Sequence, residues 1–277
     1  MKDISSPQPT LRVVSNYRPY SKPTSFNVVV DRGGVQGLWH RQLRYLVRWP
    51  RRSSAPRTGV LLCHYLNSIS ARDAFVLDIG TGTGLLAMHC ARIGARRVIG
   101  IDVDAVALEV ARRNVDENGL QDIVALENGD VSSFSTKDKA GLIVANLPHM
   151  PVPKLVSPHD DGGRDGRMCV LELIGLAQRC LHPNGVAIFT APDYLGITRR
   201  YSSTPSLKEI AKKSGFIIRV ERRYKMEVRP SSYTATNKKW ISTVYPRYTF
   251  GRSNKGMPTH WLFLASMRFC NERKSNE

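Results

Sequence analysis

A chain of 277 residues with 42% hydrophobic content is long enough to bury an α/β core of roughly 200 residues and still carry appendages. It holds 41 Lys and Arg against 23 Asp and Glu, a formal net charge of +18 at pH 7. No stretch approaches the roughly 18 apolar residues of a membrane span, Met1–Pro7 has no apolar h-region, and the five cysteines (Cys63, Cys90, Cys169, Cys180, Cys270) form an odd set without a C-x-x-C pair. The expectation is a soluble cytoplasmic protein with reduced thiols, no disulfide framework, no membrane partner and no metal site, since the seven histidines show no ligand spacing either. Its oligomeric state is not written in the sequence.

Residues 1–55 read as a Pro- and Arg-rich basic extension for substrate recognition or as a lid, with one strand over Phe26–Val30 and one helix over Gly37–Trp49. Arg41, Arg44, Arg48 and Arg51 recur at helical spacing, and the run from Trp39 to Arg52 interleaves arginines with aromatic rings. From residue 56 onward the pattern is that of one α/β domain. A helix over Thr58–Ile69 leads to the apolar run Phe75-Val76-Leu77-Asp78-Ile79, a buried strand that passes straight into Gly80, Gly82 and Gly84 and then into a helical pattern. Such a turn brings bare backbone against a ligand, because positive φ and close approach leave no room for a Cβ. A pyrophosphate fingerprint requires G-x-G-x-x-G, yet Leu85 stands where the third glycine would be. The pattern present, D-x-G-x-G-x-G, sets a carboxylate before the glycines, which suits the cationic end of a sulfonium amino acid such as S-adenosyl-L-methionine.

Further strands carry further acids. Arg97–Asp102 ends on Asp102, at a distance from Asp78 close to that at which an acidic side chain meets a ribose, and Ile123–Leu126 leads to Asn128-Gly129-Asp130, where Asp130 can accept from an adenine amine. Asp104 and Asp116 read instead as a helix cap or solvated loop acids. A fourth buried strand, Gly141–Ala145, ends on Asn146-Leu147-Pro148-His149-Met150-Pro151. The Asn146 side-chain oxygen and the Leu147 carbonyl can hold both protons of a planar NH₂ group and aim its lone pair, Pro148 stiffens the turn, and His149 is placed to stack on the acceptor. Downstream come a helix over Cys169–Leu181, a strand over Val186–Thr190, and a helix to Lys213 with Thr204 as N-cap and Pro205 at its first position. Phe216–Val220 and Trp261–Met267 form a closing antiparallel pair, with residues 225–259 as a basic β-hairpin insertion on the substrate side.

Val76–Gly84, Gly100–Asp102 and Gly129-Asp130 resemble the nucleoside-binding motifs of class I S-adenosylmethionine-dependent methyltransferases, over about residues 56–221 and 261–267. The resemblance implies a Rossmann-like α/β fold: a seven-stranded, mostly parallel sheet with helices on both faces. It implies S-adenosyl-L-methionine as cofactor, held by Asp78, Gly80, Gly82, Gly84, Asp102, Asp130 and Asn146. Asn146–His149 is similar to the N-P-P-Y motif of amino methyltransferases, which implies N-methylation with Asn146, Leu147, Pro148 and His149 at the reacting centre. Asp161-Gly162-Gly163-Arg164-Asp165-Gly166 and Pro56-Arg57-Thr58 look like segments of the release-factor glutamine methyltransferases, which adds Thr58 to the cofactor residues. Leu147 and His149 depart from that pattern.

Residues 1–72 sum to +10, residues 73–198 to −5 and residues 199–277 to +13, so the flanks and not the cofactor core are expected to meet a polyanion. Three acceptor classes fit: a protein glutamine of the translation apparatus, an exocyclic base amine in RNA, and a small-molecule acceptor. A non-catalytic binding protein with this fold is the fourth reading.

Overall fold

The computed structural model describes residues 26–30, 36–40, 45–49, 57–156 and 159–270. β1 (Phe26–Val30), β2 (Gln36–His40) and β3 (Tyr45–Trp49) form a three-stranded antiparallel sheet, with Val28 opposite Leu38 and Leu38 opposite Val47. The helix expected over Gly37–Trp49 is therefore two strands. Arginines three and four apart fit a helix face, but Gly37 and the β-branched and aromatic content of Trp39, Tyr45, Val47 and Trp49 favour the pleated state. Arg41, Arg44 and Arg51 lie outside the described residues.

The chain divides into two compact units, residues 1–146 with 180–185, and residues 147–179 with 186–277. In the first, α1 (Arg57–Leu66) precedes β4 (Phe75–Ile79), α2 (Leu85–Arg92), β5 (Arg97–Asp102), α3 (Ala105–Glu117), β6 (Val124–Asn128) and β7 (Ala140–Ala145). The strands are parallel in the order β6-β5-β4-β7. β4 and β7 are buried along their whole length, the signature of strands covered on both faces, which is why they read as unbroken apolar runs. Asp104 caps α3, its Oδ1 accepting from the amides of Val106 and Ala107, as its sequence position suggests.

The second unit takes in α4 (Met168–Cys180), most of β8 (Leu181–Pro192), α5 (Leu207–Lys213), β9 (Phe216–Glu227), α6 (Tyr233–Thr236), α7 (Lys238–Val244), β10 (Gly251–Arg252) and β11 (Pro258–Phe269). β11 lies antiparallel between β8 and β9 and also pairs with the two-residue β10. The seven strands expected for the domain are these three and the four parallel ones, with β10 as a short addition. The closing pair is longer than expected, so the insertion narrows to residues 228–257 and contains two short helices. Ser206, not Thr204, caps α5: its hydroxyl accepts from the Glu209 amide and Glu209 accepts from the Ser206 amide. The Ser-x-x-Glu box satisfies two amides at once and outcompetes Pro205 as the start signal. Among the described residues no helix is long and apolar enough to cross a membrane.

Candidate functional site

β4 delivers Asp78 to the end of the parallel strands, and the chain then turns through Gly80, Gly82 and Gly84 at φ +67°, +53° and +79°. At Gly82 a Cβ would meet nothing within 4 Å, so backbone conformation rather than crowding selects glycine there, and the Cα side of the turn stands open. The amides of Gly80 and Thr81 donate to the Ile101 carbonyl at 2.9 and 3.0 Å, tying the turn to the end of β5.

Asp78 is fully buried. Its Oδ2 accepts from the Thr81 hydroxyl at 2.6 Å and from the Ala87 amide at 2.9 Å. Ala87 is the third residue of α2, whose cap Gly84 has no side chain, so the carboxylate supplies the acceptor that the first turn of the helix lacks. The second oxygen, Oδ1, is buried without a hydrogen-bond partner. Burial pushes the Asp78 carboxyl up to about 7; the Thr81 and Ala87 hydrogen bonds pull against that rise and the Asp102 charge adds to it.

Asp102, half-buried at the end of β5, accepts from the Gly82 amide through Oδ2 at 2.7 Å and from the Asp104 amide through Oδ1 at 2.9 Å. Each oxygen keeps a further lone pair. Asn128 donates to the Asp102 and Val103 carbonyls, and Gly129 to the Asp102 carbonyl, which draws the loop after β6 to the same strand end. Asp130 in that loop is exposed, accepts from the Ser132 amide at 2.7 Å, and is held below the usual carboxylate range by its hydrogen bonds to Ser132. Ile79 pairs with Ala145, so Asn146, half-buried, follows β7 in the row where Gly80 follows β4. Thr58 is half-buried in the first turn of α1. The structure thus gathers Asp78, Asp102 and the three glycines into one hydrogen-bonded turn, sets Asn146 in the adjacent row, and leaves Asp130 on an outer loop.

In the second unit, Leu147 is buried, Pro148 and His149 are half-buried, and His149 Nδ1 lies 3.0 Å from the Leu147 carbonyl oxygen. Burial lowers the His149 pKa against the pull of that hydrogen bond and of Asp160, so the ring is neutral at pH 7 with Nδ1–H donating to Leu147. The 161–166 loop braces this stretch: the Gly162 amide donates to the Met150 carbonyl at 2.9 Å, and a Cβ at Gly166 would stand 2.6 Å from the His149 carbonyl oxygen. Asp161, buried, accepts from the Val156 amide and from the Tyr233 hydroxyl of α6. His260, against the Tyr194 ring at 5.5 Å, is driven down to about 4 by burial, with the charge of His149 as a lesser cause.

Several contributors carry little or no signal in the sequence. Thr81 braces Asp78, and Gly100 admits it, since a Cβ there would stand 2.7 Å from the Thr81 hydroxyl. Asn114, fully buried, donates to the Thr83 carbonyl at 2.8 Å; a polar residue beside the apolar positions Leu108, Ala111 and Val115 of α3 was its signal. Arg167, buried, donates to the Tyr245 hydroxyl, the Thr204 hydroxyl and the Pro205 carbonyl, and nothing local announces it.

Residues 56–161 match the family model described as ribosomal protein L11 methyltransferase (PrmA). Over 90 residues the chain is 39% identical to the ribosomal protein L11 methyltransferase of Desulforamulus reducens, covering 32% of this chain and 29% of that protein. Over 131 residues it is 37% identical to the tRNA1(Val) (adenine(37)-N6)-methyltransferase of Phocaeicola vulgatus, covering 46% of this chain and 55% of that protein. The chain spans between about a third and about half the length of these relatives. The crystal structure of the YcgJ protein from Bacillus subtilis superposes with a TM-score of 0.51 at 16% identity, over 77% of this chain and 98% of that one. The relatives matched carry the names of L11 and tRNA adenine methyltransferases, where the motifs suggested the release-factor group. With its parallel strand order, glycine turn and strand-end acids, the chain has the class I S-adenosylmethionine-dependent methyltransferase fold.

Proposed function

We propose that this protein is an S-adenosylmethionine-dependent N-methyltransferase whose acceptor is a planar amide or exocyclic amine nitrogen in a macromolecule of the translation apparatus. The observation that carries the reading is the strand register that sets Asn146 in the row beside Gly80, next to the turn braced by Asp78 and Asp102. The residues present fit the cofactor: Asp78 keeps a buried oxygen without a partner, and the positive-φ turn is open at Gly82.

When bound, S-adenosylmethionine supplies a methyl group on a positively charged sulfur. Asp78 would hold its ammonium, Asp102 its ribose hydroxyls and Asp130 its adenine amine, with Thr58 added by the family resemblance. Asn146 Oδ1 and the Leu147 carbonyl would accept the two acceptor protons, the carbonyl using the lone pair that His149 leaves. Neutral His149 would stack on the acceptor plane. Orientation does most of the work, and the surplus proton can leave to water, so no general base is required. The L11 and tRNA relatives favour the translation apparatus; the 161–166 loop favours a protein glutamine and the basic flanks favour an RNA base.

Incubation with methyl-labelled cofactor and a ribosome-containing cell extract tests this, with label expected in protein or RNA. Asn146→Ala should abolish transfer while cofactor affinity, read by isothermal titration, stays within about threefold, because loss of an acceptor contact removes orientation and not cofactor binding. Label only in small molecules would replace the substrate class. No cofactor binding at millimolar concentration would leave a binding protein.

A further inference from the structure

β9 pairs with β11 and, among the described residues, with no other strand. One face of this pair is chemically unlike the rest of the unit. Opposite positions in antiparallel strands share a face, and the register sets Trp261 opposite Lys225 and Phe263 opposite Arg223. Trp261 is 42% exposed although β11 is an interior strand. Arg223 lies over the Phe263 ring, its guanidinium carbon 5.5 Å from the centroid, and the Lys225 ammonium donates to the Arg252 carbonyl at 3.2 Å, so both cations are held on that face. Arg222, Arg229 and Lys255 are exposed nearby in sequence, against Glu221, bonded to Ser266, and Glu227.

Charges on an edge strand commonly serve to block strand-to-strand association, and that accounts for Arg223 and Lys225 on their own. It does not account for an open indole on the interior strand opposite Lys225, two residues from the ring that Arg223 covers. An exposed ring flanked by cations pinned in place is the arrangement that stacks an unpaired base while neutralising the phosphates on either side. The planar Arg223 fork, held over one ring, has N–H groups to offer phosphate oxygens. Trp261 also lies at the end of β11 that pairs with Ala191 and Pro192.

We propose that the β9–β11 face of Trp261, Arg223 and Lys225 is a binding platform for single-stranded RNA. It rests on the methyl-transfer reading only for what is done to the strand; binding itself needs no cofactor. The test is fluorescence anisotropy with a labelled, non-self-complementary RNA of about 12 nucleotides, without cofactor, between about 50 and 200 mM salt. Trp261→Ala should weaken binding about tenfold or more, and Trp261→Tyr, which keeps a ring, should restore most of it. Lys225→Gln should flatten the log–log salt dependence by about 0.7, the share of one phosphate on a single strand. Melting curves of all variants separate misfolding from lost contact, and the tyrosine variant keeps the proposal open to failure if the alanine variant unfolds. Wild-type affinity unchanged by Trp261→Ala in a folded protein, equal affinity for poly-glutamate, or tighter binding of a duplex of the same sequence would each overturn it. A protein that transfers label but binds no RNA sinks this platform alone; one that binds RNA but transfers nothing sinks the enzymatic reading alone.

Discussion

Asp78 combines two tasks in one carboxylate. One oxygen caps α2 and braces Thr81, while the other is buried with no partner, and burial lifts the group to about 7. A cation brought against that oxygen favours the charged form, so cofactor binding near pH 7 should release a fraction of a proton. Titration calorimetry in buffers of different ionisation enthalpy reads that fraction, and a buffer-independent enthalpy would count against Asp78 as the cation's partner. Asp78→Asn retains an acceptor for Thr81 and Ala87 but removes the buried charge. The carboxylate is disfavoured in the fold above its ordinary value, so the amide variant should melt at an equal or higher temperature at pH 8 while binding the cofactor at least tenfold more weakly, as expected for a lost charge contact. For His149 the sign is the reverse: burial keeps the ring neutral, and a protonated ring would repel the sulfonium. The rate should hold from pH 8 to the ordinary imidazole value and fall only below it, and a fully active His149→Ala enzyme would remove the ring from the mechanism.

Among elements, the parallel strands and the glycine turn were legible because β4, β5 and β7 are buried runs ended by acids or amides, a signal that needs no knowledge of the rest of the chain. From Gly37 to Trp49 two signals compete, arginine spacing for a helix and β-branched and aromatic content for strands, and the second prevails in the fold. Thr204-Pro205 is the louder start signal in the sequence and the Ser206–Glu209 capping box the quieter one, yet the box caps α5. Arg167 was not legible at all: its partners Tyr245, Thr204 and Pro205 come from distant segments, and long-range hydrogen bonds leave no local pattern. The 161–166 loop was visible only as a motif; its physical content is backbone contact. At Gly166, with φ +75°, a Cβ would press on the His149 carbonyl oxygen at 2.6 Å and the Leu195 side chain at 2.8 Å. Gly166→Ala should therefore cost roughly 2–4 kcal/mol in a denaturant titration, through strain at positive φ and overpacking together. Gly82→Ala meets open space and should cost only about 1–2 kcal/mol, from φ alone.

At the scale of the molecule, charge is partitioned: an acidic middle of −5 carries the turn and its acids, and basic flanks of +10 and +13 surround it in sequence. Two buried groups also give stability opposed responses to acid. His260, about 4 in the fold and 6.5 when unfolded, favours folding fully above 6.5 and loses that contribution as pH falls toward 4, up to roughly 3 kcal/mol. Asp78, raised to about 7 from 3.8, regains stability over much of the same interval as it takes up its proton. His260→Asn should therefore lose less melting temperature than the wild type between pH 7 and 4.5, whereas Asp78→Asn should lose more. Equal slopes for all three proteins would show that neither group governs the acid limb.

The carboxylate of Asp161 holds the Val156 amide on one side and the Tyr233 hydroxyl on the other. It thereby fastens the first short helix of the insertion to the segment that continues from Met150 and Pro151. Anything that grips that helix from outside pulls on the same knot that steadies the imidazole loop. Were the macromolecular acceptor proposed above to dock on the insertion, its arrival would bear on the His149 loop through one shared anion, and a small molecule that never touched the helix would forgo that tightening.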